Sequence, residues 1–102
     1  MNARTAARSI SPATRMHVYD RDGGRCVLCG AASGLQCAHY IGRAQSGLGV
    51  ERNLIMLCPD CHRAYDQSAA RGEIRDELRA YLSAHYPDWD ESELTYKKWS
   101  FL

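Results

Sequence analysis

Two pairs of cysteines constrain the fold of this 102-residue chain more than any other feature. Cys26 pairs with Cys29 and Cys58 pairs with Cys61, and 28 residues separate the two pairs. Two-residue spacing lets both sulfur atoms of a pair reach one metal ion, and two pairs complete the tetrahedral shell that Zn²⁺ prefers. Four protein ligands leave the ion no open position. The sequence therefore predicts a structural zinc site.

Such a zinc ion would carry most of the stability of so small a chain. Structural zinc contributes about 10–16 kcal/mol in small peptides, which is comparable with the whole stability of an ordinary domain. Two disulfides or a redox pair are the alternatives. Residues 1–15 lack the apolar segment of a secretion signal, which favours metal ligands over disulfides, and no thioredoxin-like pattern surrounds the pairs. The fifth cysteine, Cys37, is predicted to be a buried strand residue.

Hydrophobic periodicity and turn residues predict a single α+β domain over residues 12–102, preceded by a flexible arm over residues 1–11. The predicted helices cover about 12–20, 59–69 and 73–85, and the predicted strands cover about 35–41 and 53–57. The first helix is expected to turn Met16, Val18 and Tyr19 inward. The aromatic tail, residues 89–102, is expected to wrap back on the core, and stacking on bases is the alternative.

The distribution of charge separates the two ends of the chain. The net charge is +1, but residues 1–25 hold five Arg against two Asp, and residues 76–102 carry six acids against three bases. A DNA-binding surface would therefore lie toward the N-terminal and central parts, although ordinary solvated charge explains the pattern equally well. The Arg-rich arm fits either a transit peptide or a DNA-contacting segment. No stretch approaches the roughly 20 apolar residues of a membrane span.

Three polar residues and one carboxylate lie in or beside the segments between the cysteine pairs. His39 ends one predicted strand, Asn53 begins the next, and His62 and Asp66 are four residues apart on the following helix, so they share a face. Hydrolysis of a phosphodiester needs a base for water and a Lewis acid for the developing charge. His39 can be the base, His62 and Asp66 can hold a divalent cation, and Asn53 can hold a turn or orient His39.

These segments resemble the HNH endonucleases of the zinc-knuckle type that occur in bacteriophages and prophages. The resemblance covers about residues 15–99 and is carried by the sequence runs Arg21–Cys26, Cys37–Arg43, Gly47–Asn53, Leu57–His62, Tyr86–Trp89 and Tyr96–Trp99. It implies a small ββα-metal (HNH, or His-Me finger) domain with flanking helices, and metal-dependent nicking or double-strand cleavage of DNA. By position, His39 matches the general base, Asn53 the central Asn, and His62 the final His, a metal ligand. Asp66 falls where a further ligand often lies.

The family resemblance also sets expectations about partners and cofactors. Besides the structural zinc, a catalytic ion such as Mg²⁺, Mn²⁺, Ni²⁺ or Zn²⁺ is implied, and Arg43, Arg52 and Arg63 are candidate phosphate contacts. The expected setting is the cytoplasm of a bacterial host, without a membrane, and phage terminase or packaging proteins are candidate partners. Each arginine could equally be ordinary surface charge.

One residue departs from the family pattern. Many HNH enzymes place Asp, Glu or His directly before the base as a metal ligand, but this chain has Ala38 there. Water and phosphate could complete the metal shell, the metal could bind weakly, or the nuclease could be impaired. The alternative function is therefore a zinc module that binds DNA or a packaging partner without cleaving. Taken singly, His62 would be interpreted as a surface residue or an alternate zinc ligand, Asn53 as a turn residue and Asp66 as an acid on a helix surface.

Overall fold

The computed structural model describes residues 2–98, and its architecture is α+β, as the sequence predicts. Two short strands, β1 (Gln36–His39) and β2 (Leu54–Leu57), pair antiparallel, with Gln36 opposite Leu57 and His39 opposite Leu54. One-turn 3₁₀ helices lie between and after these elements, at Arg43–Gln45, Glu51–Asn53 and Glu91–Glu93. The four α-helices are α1 (Ala3–Arg8), α2 (Pro12–Arg21), α3 (Pro59–Gln67) and α4 (Arg71–His85).

Local sequence signals set the ends of α2 and α3. Ser11 caps α2 by accepting a hydrogen bond from the backbone N–H of Thr14, and a proline follows at the first helical position. Cys58 caps α3 in the same way, with its sulfur facing the N–H of Cys61. The second cysteine pair of the zinc site is thus also the start of α3.

The prediction for the inward face of α2 is correct only for Val18. Val18 is fully buried, whereas Met16 is 60% exposed and Tyr19 is 43% exposed. Val18 packs in a cluster with Leu54 and Met56 of β2. A residue two positions before Val18 lies on the opposite side of a helix with 3.6 residues per turn, so Met16 faces solvent.

Strand β2 is the centre of the protein, because all four of its residues are buried. Ile55 and Leu57 face the main cluster, which includes Leu78 and Leu82 of α4. Ile74 and Tyr81 pack against the same cluster, so α4 rests one apolar face on the core. Among residues 2–98, every helix is too short or too polar to span a lipid bilayer.

A buried ion pair joins α2 to β2 and α4. The Asp22 side chain has no exposed surface and accepts two hydrogen bonds from Arg21, one from the backbone N–H of Met56 (2.9 Å) and one from the Tyr81 hydroxyl (2.5 Å). Arg21 also donates to the backbone oxygens of Glu51 and Leu54. Because each charge is fully hydrogen-bonded, the pair can remain ionised inside the protein.

Both ends of the described chain are packed on the domain. Where the sequence predicts a flexible arm over residues 1–11, the structure forms α1, whose N-cap Asn2 accepts from the N–H of Thr5 (2.8 Å). Trp89 packs edge-on against Tyr40 and donates to the carbonyl of Arg52 (2.8 Å), as expected of a tail that wraps back. Tyr96 of the predicted tail donates its backbone N–H to the carbonyl of Ser46 (2.8 Å), whereas Trp99 and Phe101 lie outside the described residues.

Candidate functional site

The four cysteines predicted to bind zinc converge on one point. Their sulfur atoms all lie within 4.8 Å of one another, and the sulfurs of Cys29 and Cys58 are 3.6 Å apart. A tetrahedral ion with Zn–S bonds of about 2.3 Å needs sulfurs roughly 3.8 Å apart. All five cysteines are free rather than disulfide-bonded. The donor set therefore fits Zn²⁺, and the ion would be structural.

The first cysteine pair is tied to the sheet by backbone hydrogen bonds. The N–H of Val27 donates to the carbonyl of Met56 in β2, and the N–H of Gly30 closes the turn on the carbonyl of Cys26. Gly30 has φ +81°, which favours glycine. The zinc ligands Cys26 and Cys58 are buried, whereas Cys29 is exposed. Zinc at this point therefore fastens the first turn to β2 and to the start of α3.

His39, His62 and Asp66 line one cavity of about 310 Å³, between β1 and α3. We call this cavity the His39 pocket. Its lining also includes Ile10, Cys37, Ala38, Gly42 and Arg43. The structure therefore brings together the predicted base and both predicted ligands of the catalytic ion. Asn53, the fourth predicted site residue, is not part of the lining.

His39 is half-buried, and one of its ring nitrogens is occupied. Its Nε2 lies 3.0 Å from the backbone carbonyl oxygen of Arg8, at the end of α1. A carbonyl only accepts hydrogen bonds, so Nε2 must carry the proton and Nδ1 is the basic nitrogen of the neutral ring. Burial lowers the pKa of His39. The hydrogen bond to the carbonyl of Arg8 opposes this shift, and the charges of Arg43 and Arg8 add to it, so the pKa is lowered overall. His39 is therefore neutral, and able to accept a proton, near pH 7.

His62 is held in the orientation that a metal ligand needs. Its Nδ1 lies 2.7 Å from Oε1 of Gln36 in β1, and its Nε2 lies 3.5 Å from Oδ2 of Asp66. A donor at Nδ1 leaves Nε2 unprotonated and close to the carboxylate, so both can face one cation. Sequence reasoning missed Gln36, and the only available signal was its polar character at the start of a predicted strand.

Asn53 is fully buried, and its amide bonds to the backbone. Its Oδ1 accepts from the N–H of Ile41 (2.8 Å), and its Nδ2 donates to the carbonyls of Ile41 (3.1 Å) and Leu48 (2.9 Å). These bonds connect the end of β1 with the far side of the loop 42–48. Asn53 therefore holds the loop that follows His39 and has no direct contact with the pocket.

Ala38 has only 1% of its surface exposed. Adjacent residues of a strand face opposite sides, so Ala38 points away from the side of β1 that carries Cys37 and His39. It packs in the main core cluster and reaches the His39 pocket at its inner wall. Within residues 2–98, the cysteine cluster is the only group of three or more metal-binding side chains. The predicted site for a catalytic ion would therefore have two protein ligands, His62 and Asp66.

The three arginines predicted to contact phosphate have different surroundings. Arg52 pairs with Asp88 (2.9 Å), and Arg63 lies 3.5 Å from Asp60 on the same helix. Arg43 lines the His39 pocket, and in the described part of the chain no carboxylate pairs with it. Of the three, Arg43 is best placed to bind a phosphate at the pocket.

Comparison with known proteins agrees with this geometry. Residues 26–69, which hold the zinc ligands, His39, Asn53, His62 and Asp66, match the family model of the HNH endonucleases. A solved structure, the Type IV phosphorothioation-dependent restriction endonuclease ScoMcrA, is similar with a TM-score of 0.61 and 27% sequence identity. The similarity covers 74% of this chain and 20% of ScoMcrA, so this chain corresponds to a small part of that enzyme. No curated protein matches the chain. The resemblance drawn from the sequence is confirmed.

Proposed function

We propose that this chain, which carries an HNH endonuclease segment at residues 26–69, is a metal-dependent DNA endonuclease that cleaves phosphodiester bonds by hydrolysis. The observation that carries the proposal is the His39 pocket, where a neutral imidazole shares one cavity with a histidine–carboxylate pair. A pocket of this size reaches few base edges, so we expect nicking with low sequence specificity.

In the proposed mechanism each residue has a separate task. His39 takes a proton from the attacking water at Nδ1, since Nε2 is occupied by the carbonyl of Arg8. His62 and Asp66 would hold a divalent cation such as Mg²⁺, Mn²⁺, Ni²⁺ or Zn²⁺, which when bound supplies a Lewis acid for the negative charge developing on the phosphate. Arg43 binds a phosphate oxygen. Asn53 acts through the loop that it holds, as a positioning residue rather than a catalytic one.

The test is relaxation of supercoiled plasmid by purified protein with each of these four cations. We expect His39→Ala to reduce the rate of nicking about 10²–10⁴-fold, the usual contribution of a general base. Zinc content and melting temperature should remain those of the wild type. The matched control is His85→Ala, because His85 is an exposed residue at the end of α4 and does not line the pocket. Equal nicking by wild type and His39→Ala would disprove the proposal.

A second candidate function follows from Ala38. A metal site with only two protein ligands binds its ion weakly, so the same fold could bind DNA or a protein partner without cleaving it. This candidate predicts DNA binding that depends on Arg43, with no nicking at any concentration of the four cations. Cation-dependent nicking that is lost in His39→Ala would exclude it.

The biological setting is also part of the proposal. The resemblance to the zinc-knuckle nucleases of phages and prophages supports a phage or prophage origin, action in the bacterial cytoplasm, and partnership with terminase or other packaging proteins. Co-purification of this chain with co-expressed phage terminase subunits would test that partnership. Failure to form a complex when the proteins are co-expressed would contradict it.

A further inference from the structure

We propose that residues 2–10, which we call the docked arm, are a working part of the catalytic site and position His39 for proton transfer. The inference rests on the proposed function and extends it, because the family match begins at residue 26. The arm supplies the oxygen atom that bonds to His39, from the carbonyl of Arg8. It also places Ile10 in the lining of the His39 pocket.

Three hydrogen bonds hold the arm against the loop that follows β1. The N–H of Gly49 donates to the carbonyl of Ala7 (2.9 Å), Nη1 of Arg8 donates to the carbonyl of Arg43 (2.8 Å), and Nε of Arg4 donates to Oγ of Ser46 (2.9 Å). These bonds join the arm to residues distant in sequence, so they specify where it sits. The carbonyl of Arg8 is thereby presented to His39 by a segment anchored at Arg4, Ala7 and Arg8.

The backbone of the docked arm lies too close to Gly49 for any residue with a side chain to fit there. A Cβ atom added there would lie 2.1 Å from the carbonyl oxygen of Ser9 and 2.9 Å from that of Arg8. Both contacts are with backbone atoms, which cannot move without displacing the arm itself. Gly49 therefore permits the docking, and its substitution is a specific means of undoing it.

The carbonyl of Arg8 determines what His39 can do. While Nε2 donates to this oxygen, the ring is fixed in one tautomer and one orientation, with Nδ1 left as the basic nitrogen. Within residues 2–98, Nδ1 has no hydrogen-bond partner, so it is free for a water molecule. Without the arm, the ring could rotate and exchange tautomers in solvent. We therefore expect loss of docking to lower kcat while the fold persists.

The arm also adds positive charge where a DNA strand would approach the pocket. The pKa of Arg8 is lowered by burial and by the neighbouring charges of Arg4 and Arg43. In the described part of the chain, no carboxylate pairs with Arg4 or Arg8. Like charges repel in the free protein, and a phosphate among them would relieve the repulsion. Bound DNA should thus favour the docked position.

The experiment compares Gly49→Ala with Gly72→Ala. A Cβ at Gly72, in the first turn of α4, meets no atom within 4 Å, so this variant is the matched control. We expect Gly49→Ala to lower kcat for plasmid nicking about tenfold to hundredfold, the scale of a misplaced catalytic group. Its zinc content should change little, and its KM should rise, because docking and DNA binding favour each other. Gly72→Ala should behave as the wild type.

A second variant undoes the docking from the other partner. Replacing Arg4 and Arg8 together by Ala removes two of the three anchors, so kcat should fall as in Gly49→Ala, and KM should rise because phosphate contacts are lost. Combining all three substitutions should lower kcat no further than the stronger of the two variants. Multiplied effects on kcat would show that Gly49 acts independently of the arm and would overturn the proposal.

A measurement independent of catalysis separates this inference from the proposed function. In protein labelled with ¹⁵N-histidine, the Nε2 proton of His39, assigned with His39→Gln, should be protected from exchange in the wild type and in Gly72→Ala. It should be lost from the spectrum of Gly49→Ala. An unprotected proton in the wild type would overturn the inference even if the protein nicks DNA. A protected proton in a protein that never nicks DNA would support the docking and refute the nuclease.

Discussion

The zinc cluster and the His39 pocket both take residues from α3, yet they differ in how their polar groups are surrounded. At the zinc cluster, four sulfurs face one another within 4.8 Å and two of the ligands are buried. At the pocket, His62 and Asp66 face a cavity of about 310 Å³, and Asp66 is 55% exposed. The first group is a closed set of four ligands that fits one ion, and the second faces an open cavity.

This difference teaches where stability and activity reside in the chain. Changes at the zinc cluster should unfold the protein, because they remove interactions that its small core cannot replace. Changes at the His39 pocket should alter catalysis or binding and leave the fold intact. The following predictions test that division, beginning with the largest effect.

Cys58→Ser should abolish the fold. Cys58 both binds the metal and caps α3, and loss of structural zinc costs about 10–16 kcal/mol in small peptides. Circular dichroism and zinc analysis should show an unfolded, metal-free chain, as should a strong chelator applied to the wild type. The matched control is Cys37→Ser, a cysteine outside the cluster, which should retain one zinc per chain. A folded Cys58→Ser protein without metal would contradict the assignment of stability to the zinc cluster.

Asp22→Ala should destabilise the protein by about 3–5 kcal/mol, since it leaves the buried charge of Arg21 unpaired. Urea denaturation would measure the loss of free energy of unfolding. Asp20→Ala, which removes an exposed carboxylate on the same helix, should change that free energy by less than about 0.5 kcal/mol. The division between the two regions requires that kcat of the folded fraction stay near the wild-type value in both variants.

Ala38→Asp should lower stability by about 1–3 kcal/mol without a catalytic cation, because it buries a carboxyl group in the core cluster. Added Mn²⁺ should restore the melting temperature if the new carboxylate reaches the ion held by His62 and Asp66. Thermal denaturation with and without Mn²⁺ measures both effects. Ala38→Asn serves as the control, since it should be destabilised with much less recovery. Equal recovery of the two variants would mean that the carboxylate does not reach the ion.

Stability should also fall at high pH because of Tyr81. Burial, together with its hydrogen bond to the carboxylate of Asp22, raises the pKa of Tyr81 to about 12. A raised pKa favours the neutral hydroxyl in the folded state, so this contribution is complete below pH 10 and is lost as the pH rises toward 12. Allowing for partial exposure, the loss is about 1–2 kcal/mol. Denaturation of the wild type and Tyr81→Phe across this range should show a steeper decline for the wild type.

Arg43→Gln should produce the smallest change, confined to DNA binding. If Arg43 neutralises one phosphate, the slope of log affinity against log salt should fall by about one. Arg63→Gln is the control, because Arg63 lies within ion-pair distance of Asp60, and its effect on the slope should be smaller. Both are best measured in the His39→Ala background, which prevents cleavage. Equal slopes in the two variants would remove the distinction drawn between these arginines.

The sequence predicted the elements around the zinc site more accurately than the catalytic surroundings. Helices predicted at about 12–20 and 59–69 are observed at Pro12–Arg21 and Pro59–Gln67. A Ser-Pro cap, a Cys-Pro start and the cysteine spacing are local signals, so they can be read from neighbouring residues. The strand predicted over about 35–41 ends at His39, because Tyr40 and Ile41 bond to Asn53 in the approach to β2 rather than in a ladder.

The residues that orient the two histidines could not have been found in this way. Gln36 meets His62 across 26 positions and the carbonyl of Arg8 meets His39 across 31, and neither belongs to a spacing pattern. Asn2 is a typical N-cap residue and could have indicated α1 from the sequence. The position of α1 beside His39, however, depends on the absence of a side chain at Gly49. Such contacts are set by tertiary packing, whereas the metal ligands follow from local spacing.

Cys61, a zinc ligand, is followed directly in the chain by His62 of the pocket. On the proposed function, this adjacency would make nuclease activity depend on zinc binding. If loss of zinc unfolds the chain, as predicted for Cys58→Ser, a newly made chain without zinc would have no ordered α3 to bring His62 and Asp66 opposite His39. We would then expect cleavage of DNA to begin only after zinc binding, and reagents that remove the zinc or oxidise the four thiolates to abolish it. On the proposed function, the supply of zinc would therefore control when the nuclease becomes active.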